Sequence, residues 1–157
     1  MIVGIVADSH DHLDNIRKVL QIFKERNVET ILHAGDFISP FALSKFINED
    51  FRFVGVFGNN DGDKAALSLM APGKVYKAPH WFDLDGKKFL LTHDYSNVNS
   101  IGIKSDFIIC GHTHQLEVKD TPFGFLINPG DLSAWVGGKS TAVILDTIVG
   151  NPEVINI

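Results

Sequence analysis

Three apolar segments alternate with helical patterns in the first half of the chain, and this alternation constrains the fold more than any other feature. Residues 2–7, IVGIVA, form a continuous apolar run that is typical of a strand covered on both faces. Residues 14–26 follow with a helical pattern whose predicted cap is Asp14 and whose apolar stripe consists of Ile16, Val19, Leu20 and Phe23. The alternation continues with a strand over residues 30–35, a helix beginning at Ser39 and Pro40, a strand over residues 51–58 and a short helix over residues 63–71.

The second half of the chain changes to short β-like segments separated by turns. Asp85 and Gly86 give the strongest hairpin signal. The predicted segments are residues 80–84, 88–92, 106–110, 116–120, 124–128, 141–147 and 153–157. Strand–helix repeats followed by hairpins predict a mixed α/β fold in one domain over residues 1–157, with two sheets face to face and helices outside. Residues 94–105 are the least regular stretch, and we predict that they form an active-site loop.

Composition argues against several classes of protein. A chain of 157 residues is long enough for one compact domain that buries roughly two thirds of the surface of the unfolded chain. Its apolar tracts are too short for a bilayer span, and we expect neither a membrane segment nor a signal peptide. The formal net charge of −5, without a basic stripe, does not favour binding to a nucleic-acid backbone. The single cysteine, Cys110, is predicted to be a small buried hydrophobe, and we expect a cytoplasmic location.

His112 and His114 stand together at the end of an apolar run over residues 107–109. Two positions two residues apart in extended chain project to the same side, so their imidazoles would reach one metal ion or one each of two neighbouring ions. By itself such a pair also occurs in exposed polar loops and in satisfied core positions. The rest of the chain decides between these interpretations.

Side chains of the metal-ligand type follow five of the predicted strands. The seven candidates are Asp8, His10, Asp36, Asn59, His93, His112 and His114. Ligands bind at the carboxyl ends of strands in open α/β sheets, and oxygen and nitrogen donors of this kind suit manganese, nickel, iron or zinc. Seven donors fit two ions that share a bridging carboxylate. Glycines at positions 35, 58 and 111 precede ligands and allow the backbone to turn sharply and approach closely.

Each candidate also has a structural explanation when it is taken alone. Asp8 would cap a turn, Asp36 would cap the following helix, Asn59 would lie in a turn, and His93 would be a satisfied core histidine. All of these explanations would have to hold at once, which favours the metal centre. Asp11, Asp61 and Asp94 are candidates for accepting the second ring N–H of a histidine ligand. Among the other histidines, we predict a core position for His33, an exposed one for His80, and for His12 a solvated loop or a position facing the substrate.

The motifs DSH, GD, GNND, a lone TH, GHTH and NPGD, in this order, resemble those of the calcineurin-like metallophosphoesterases, specifically their small single-domain phosphodiesterase branch in bacteria and archaea. The resemblance implies a β-sandwich of two mixed sheets with helices on both outer faces. It also implies one ion held by Asp8, His10 and His114, a second held by Asn59, His93 and His112, and Asp36 bridging the two. The implied activity is hydrolysis of a small phosphodiester by a hydroxide that bridges two divalent cations, with manganese favoured.

Two departures from the family pattern affect the substrate side of the site. Many family members carry a histidine, thought to protonate the leaving group, where this chain has Asn60, which cannot act as a general acid. We therefore place Asn60 at the catalytic position and predict a preference for phosphodiesters with good leaving groups. Asp94 and Tyr95 replace a common Gly-His pair, which alters the substrate rim.

The alternative function is a protein-interaction scaffold, because the same fold serves as a subunit of the retromer coat with a degraded metal site. The complete set of seven ligand positions favours catalysis. A homo-oligomer is open, since five aromatic residues would fit either a core or an interface: Trp81, Phe82, Phe123, Phe125 and Trp135.

Overall fold

The apolar runs of the first half form the centre of a six-stranded mixed sheet. The structure, a computed structural model, describes residues 1–99 and 102–157. The strands of the sheet are β1 (Ile2–Val6), β2 (Thr30–His33), β3 (Arg52–Val56), β4 (Val75–Tyr76), β10 (Thr141–Asp146) and β11 (Pro152–Asn156). The sheet has the order β11-β10-β1-β2-β3-β4; β1 to β4 are parallel, β10 pairs antiparallel with β1, and β11 pairs antiparallel with β10.

Five of the β segments of the second half form a separate five-stranded mixed sheet, while β10 and β11 join the first sheet. The order of the second sheet is β5-β6-β7-β9-β8, and β6, β7 and β9 run parallel to one another. The strands are β5 (His80–Leu84), β6 (Lys87–Leu91), β7 (Phe107–Ile109), β8 (Leu116–Thr121) and β9 (Gly124–Pro129). The predicted hairpin at Asp85 and Gly86 is confirmed, because both residues have positive φ and β5 pairs antiparallel with β6.

Alternate residues of each strand enter different layers of the core, as the two-residue period of a strand requires. Ile5, Leu32 and Val54 face the second sheet, where Phe89 and Ile109 meet them in the core between the sheets. Their neighbours in sequence pack against the helices α1 (Leu13–Glu25), α2 (Pro40–Ile47) and α3 (Lys64–Met70) on the outer face of the first sheet. A short helix, α4 (Ser96–Asn99), places Val98 on the outer face of the second sheet. The predicted α/β sandwich with helices on both outer faces is therefore confirmed.

Several local predictions need correction. The cap of α1 is His12, two residues before the predicted Asp14; the helix begins at Leu13, and His12 Nδ1 accepts from the Asn15 N–H. His80 is half-buried, with its ring stacked on that of Tyr76 at 3.8 Å between centroids. The predicted loop over residues 94–105 contains α4, and its residues 100 and 101 lie outside the described part of the chain. In the described residues, no helix is both long and apolar enough to cross a membrane.

Candidate metal centre

The carboxyl ends of six strands meet at one edge of the sandwich. In each sheet three neighbouring parallel strands, β1-β2-β3 in the first and β6-β7-β9 in the second, end at the same edge. The seven predicted ligands follow five of these strands directly, and they come together where the two edges face each other. The polar residues that were scattered along the sequence thus form one cluster for a topological reason.

The first group of donors is Asp8, His10 and His114, whose ligand atoms lie within 4.8 Å of one another. Asp8 Oδ1 lies 3.6 Å from His114 Nε2 and 3.9 Å from His10 Nε2. Both Asp8 Oδ1 and His10 Nε2 are buried, and within the described residues neither has a hydrogen-bond partner. Buried polar atoms are usually paired, so two such atoms aimed at a common point fit a cation.

The second group is Asn59, His93 and His112. Asn59 Oδ1 lies 2.8 Å from His93 Nε2 and 3.0 Å from His112 Nδ1. Burial lowers the pKa of His93, which keeps the imidazole neutral. A neutral imidazole and an amide oxygen are ligands that add no negative charge to a site.

Asp36 lies between the two groups. Its Oδ2 is 3.6 Å from His10 Nε2 on one side and 3.5 Å from His93 Nε2 on the other. The carboxylate is 1% exposed, so it has little contact with solvent. This position between two sets of donors is the one that a bridging carboxylate requires.

The cluster depends on an unusual backbone. Five of the seven candidates have positive φ: Asp8 (52°), His10 (40°), Asp36 (61°), His112 (70°) and His114 (57°). The left-handed region is sparsely populated by residues other than glycine, and each such residue costs about 1–3 kcal/mol. Strain of this kind concentrates at functional sites, where the surrounding structure holds it in place.

Gly58 shows why a residue without a side chain must precede Asn59. A Cβ at position 58 would overlap the Asp36 carboxylate and lie 2.6 Å from the Asp36 backbone nitrogen. Gly35 has φ of 98°, and a Cβ there would lie 2.8 Å from both the Gly58 backbone nitrogen and His93 Nδ1. The loops after β2 and β3 therefore pack backbone against backbone around Asp36, as predicted for the glycines at positions 35 and 58.

Burial raises the pKa of Asp8 to about 7, a rise that the nearby His114 opposes and that the Asp36 carboxylate reinforces. Two carboxylates so close together in a buried site repel each other. A cation between Asp8 and the imidazoles would remove this cost. The electrostatics of the donor set thus fit a positively charged group.

The predicted supports for the histidine rings act instead on the loops. Asp61 accepts hydrogen bonds from the backbone N–H groups of Asp36, Ile38 and Gly58. Asp11 accepts from the N–H and hydroxyl of Ser39, and Asp94 accepts from those of Ser96. The group that holds the His93 ring is a backbone carbonyl, that of Ala34, at 2.8 Å from Nδ1.

Asp131, which follows β9 and ends the NPGD motif, is the residue of the site to which the sequence analysis gave no role. Its Oδ2 lies 3.0 Å from His114 Nδ1, within ion-pair distance. The carboxylate also accepts from the N–H groups of Ser133, Val136 and Gly137. A carboxylate against the far nitrogen of a histidine fixes the ring and its tautomer. Its place two residues after a strand end was the available signal.

Asn60 contacts the candidate bridging group. Its backbone N–H and its side-chain amide donate to the two oxygens of Asp36 at 2.8 and 2.7 Å. The side chain is exposed, so it reaches both the carboxylate and solvent. In this arrangement Asn60 orients Asp36.

The remaining histidines lie outside the cluster. His33 is fully buried, donates through Nε2 to the Ser9 hydroxyl and accepts through Nδ1 from Gly35, which confirms the predicted core position. Burial lowers its pKa well below 6.5. Cys110 is also buried as predicted, and burial raises the pKa of its thiol to about 12.

Comparison with known proteins agrees with this geometry. The model of the calcineurin-like phosphoesterase superfamily domain matches residues 1–149. A phosphodiesterase of Methanocaldococcus jannaschii is 38% identical, and the match covers 94% of this chain and 93% of the relative. The structure of an archaeal phosphodiesterase superposes with a TM-score of 0.90 at 34% identity over 100% of both chains.

A more distant similarity concerns the fold alone. The zinc complex of Vps29 from Entamoeba histolytica has a TM-score of 0.71 at 16% identity, and the match covers 100% of this chain and 98% of that one. The family match over residues 1–149 and the relative at 38% identity show that the chain belongs to the calcineurin-like phosphoesterase superfamily.

Proposed function

We propose that the protein is a phosphodiesterase that acts on a small phosphoester with two divalent cations. The observation that carries this proposal is the position of Asp36, whose Oδ2 lies within 3.6 Å of imidazole nitrogens from both donor groups. The similarity to a named phosphodiesterase over almost the whole chain supports the same activity.

In this proposal Asp8, His10 and His114 hold one cation, Asn59, His93 and His112 hold the other, and Asp36 binds both. When bound, such a pair activates a water molecule for attack on phosphorus and neutralises charge on the phosphoryl oxygens. Manganese is the favoured metal, with nickel, iron and zinc as alternatives.

The residues of the chain contribute position and charge. Asn60 holds the Asp36 carboxylate through two hydrogen bonds, so the spacing between the donor groups is fixed from the loop after β3. The four imidazoles and Asn59 add no negative charge to the site. Additional negative charge would repel the phosphate of the substrate. Because Asn60 cannot protonate a leaving group, we expect aryl phosphodiesters to react faster than alkyl ones, by as much as the roughly 10²–10⁴-fold that a general acid supplies. Equal rates on the two classes would contradict this.

Metal analysis combined with a phosphoester panel tests the proposal. We expect two equivalents of metal per chain and hydrolysis of bis(p-nitrophenyl) phosphate. Asp36→Asn should bind fewer equivalents and lose activity to background, because the shared ligand is weakened. Asp120→Asn, on the exposed strand β8, removes the same charge away from the site and should leave both readings unchanged.

Failure to hydrolyse any phosphoester with manganese, nickel, iron or zinc would refute the enzyme and favour the scaffold. A stoichiometry of one cation with full activity would refute the binuclear site alone. The cytoplasmic location and the single domain over residues 1–157 belong to the same proposal. A homo-oligomer stays open, and sedimentation of the purified protein tests it.

A further inference from the structure

Trp135 is a large aromatic side chain that remains exposed beside the metal centre. It is 68% exposed. Its ring lies nearly parallel to that of His10, with 6.4 Å between centroids and 21° between planes, and it meets His12 edge-on at 6.1 Å. An indole in this position borders the place where a phosphoester bound at His10 would extend.

The loop that carries Trp135 is fixed to the site. Asp131 Oδ2 accepts from the N–H groups of Val136 and Gly137 and lies 3.0 Å from His114 Nδ1. The backbone N–H of Trp135 donates to the Ser133 hydroxyl at 3.3 Å. The same carboxylate therefore contacts a candidate ligand and anchors the backbone of the tryptophan loop beside it.

Trp135 forms one wall of a surface cleft. Its volume is about 350 Å³, and it is shallow and open to solvent. His12 Nδ1 accepts from the Asn15 N–H, so a neutral His12 carries its proton on Nε2 as a donor. The cleft combines an aromatic wall with carboxylate, guanidinium and imidazole groups, and its lining is Asp11, His12, Leu13, Asp14, Arg17 and Trp135.

We propose that Trp135 determines substrate specificity by stacking on a planar ring in one esterified group of the phosphodiester. The phosphate of such a substrate would lie at the metal centre, and its ring would lie against the indole. The polar lining of the cleft can hydrogen-bond to the edge of a nucleobase. Base–aromatic stacking tolerates any base, since every base has a π-face. This inference rests on the proposed phosphodiesterase function, of which it specifies the substrate class.

Competitive inhibition by matched monophosphates tests the inference. Adenosine 5′-monophosphate carries a base where ribose 5-phosphate carries a hydroxyl, and the two share the sugar and the phosphate. We expect adenosine 5′-monophosphate to bind roughly 5- to 150-fold more tightly than ribose 5-phosphate, as stacking on one aromatic ring allows. Trp135→Ala should bring this ratio close to one, and Trp135→Phe should retain part of it. An unchanged ratio in Trp135→Ala would overturn the proposal.

Fluorescence gives a second readout that does not need turnover. The chain has two tryptophans, so a Trp81→Phe background leaves Trp135 as the sole indole. Trp81 lies in β5 of the second sheet, and its replacement should leave the inhibition ratio as in the wild type. Adenosine 5′-monophosphate should quench the emission of Trp135, whereas ribose 5-phosphate should not.

The outcomes separate this inference from the proposed function. If the protein hydrolyses no phosphoester but the base-dependent quenching occurs, the function is wrong and the ring-binding site stands. If hydrolysis occurs without base-dependent quenching, the function stands and the role of Trp135 is refuted. A dimer that dissociates on Trp135→Ala would also overturn the proposal, because a second copy would then cover the indole.

Discussion

Replacing Asp131 with asparagine should destabilise the protein and weaken cation binding at His114 together. One carboxylate oxygen accepts from the Ser133 N–H at 2.9 Å, and the other accepts from Val136 and Gly137 at 3.1 and 3.2 Å. An asparagine of the same shape presents an NH₂ group to one of these sets. The NH₂ group of the asparagine then faces backbone N–H groups of the loop, and these N–H groups lose their acceptor.

The size of the effect follows from the burial and pKa of Asp131. The residue is 1% exposed, and burial alone would raise its pKa, but hydrogen bonds from Ser133, contact with His114 and the two amides lower it to about 2. A fall from 3.8 to about 2 corresponds to about 2 kcal/mol of stability. Because the pKa is depressed in the folded state, this contribution is present above pH 3.8 and is lost as the pH falls through about 2.

Urea denaturation of the metal-free protein at neutral pH should therefore show a loss of about 2 kcal/mol in Asp131→Asn, and the loss should shrink below pH 3.8. Titration calorimetry with zinc should show roughly 10- to 100-fold weaker binding, as for other residues that orient a histidine ligand. Asp63→Asn is the control, because Asp63 caps α3 and asparagine caps helices equally well. Wild-type stability and zinc affinity in Asp131→Asn would refute the assigned role.

Three further predictions concern other parts of the site. Gly58→Ala should lose about 1–3 kcal/mol of stability and most metal binding, because its Cβ overlaps Asp36, whereas Gly62→Ala, with open space around its Cβ, should lose neither in parallel denaturation and metal titrations. His33→Leu should flatten the pH dependence of unfolding measured with a chelator present. The buried ring has a lowered pKa, so the unfolded chain binds an extra proton below pH 6.5 and wild-type stability falls by up to about 1.4 kcal/mol per pH unit there. Asn60→His should raise the rate on alkyl relative to aryl phosphodiesters, and an unchanged rate ratio would argue against a missing leaving-group acid.

The strands and helices were predictable wherever a sequence pattern was long enough to be periodic. The stripe from Ile16 to Phe23 predicted α1, and the apolar runs predicted the central strands β1, β2 and β3. The two-residue strand β4 and the four-residue helix α4 were missed, since elements this short have no periodicity. Local chemistry also shifted one boundary, because His12 replaces the expected Asp14 as the cap of α1.

The sequence predicted which residues form the candidate site, but it did not predict which groups hold those residues in place. Strand ends and motif order indicate which side chains gather, because parallel neighbours end at one edge. Which carboxylate meets which imidazole depends on how the two sheets face each other, and this is tertiary information. Asp61 was expected to contact a histidine, and it orders the backbone around Asp36 instead. Asp131, which does contact His114, followed a strand end like the ligands themselves.

The left-handed backbone of the ligands could not be predicted from the sequence, and it leads to a last prediction. His112 has φ of 70° and an exposed side chain. At most positions glycine is less stable than alanine by roughly 0.5–1 kcal/mol, but alanine in this region is strained and glycine is not. Both substitutions remove the imidazole and keep the N–H that donates to Asp8 at 3.0 Å. In metal-free urea denaturation, His112→Gly should therefore be more stable than His112→Ala by about 1 kcal/mol, while both lose a ligand. The ordinary order, with alanine more stable, would show that the strain does not exist in solution and that the donors are not held in advance of the cation.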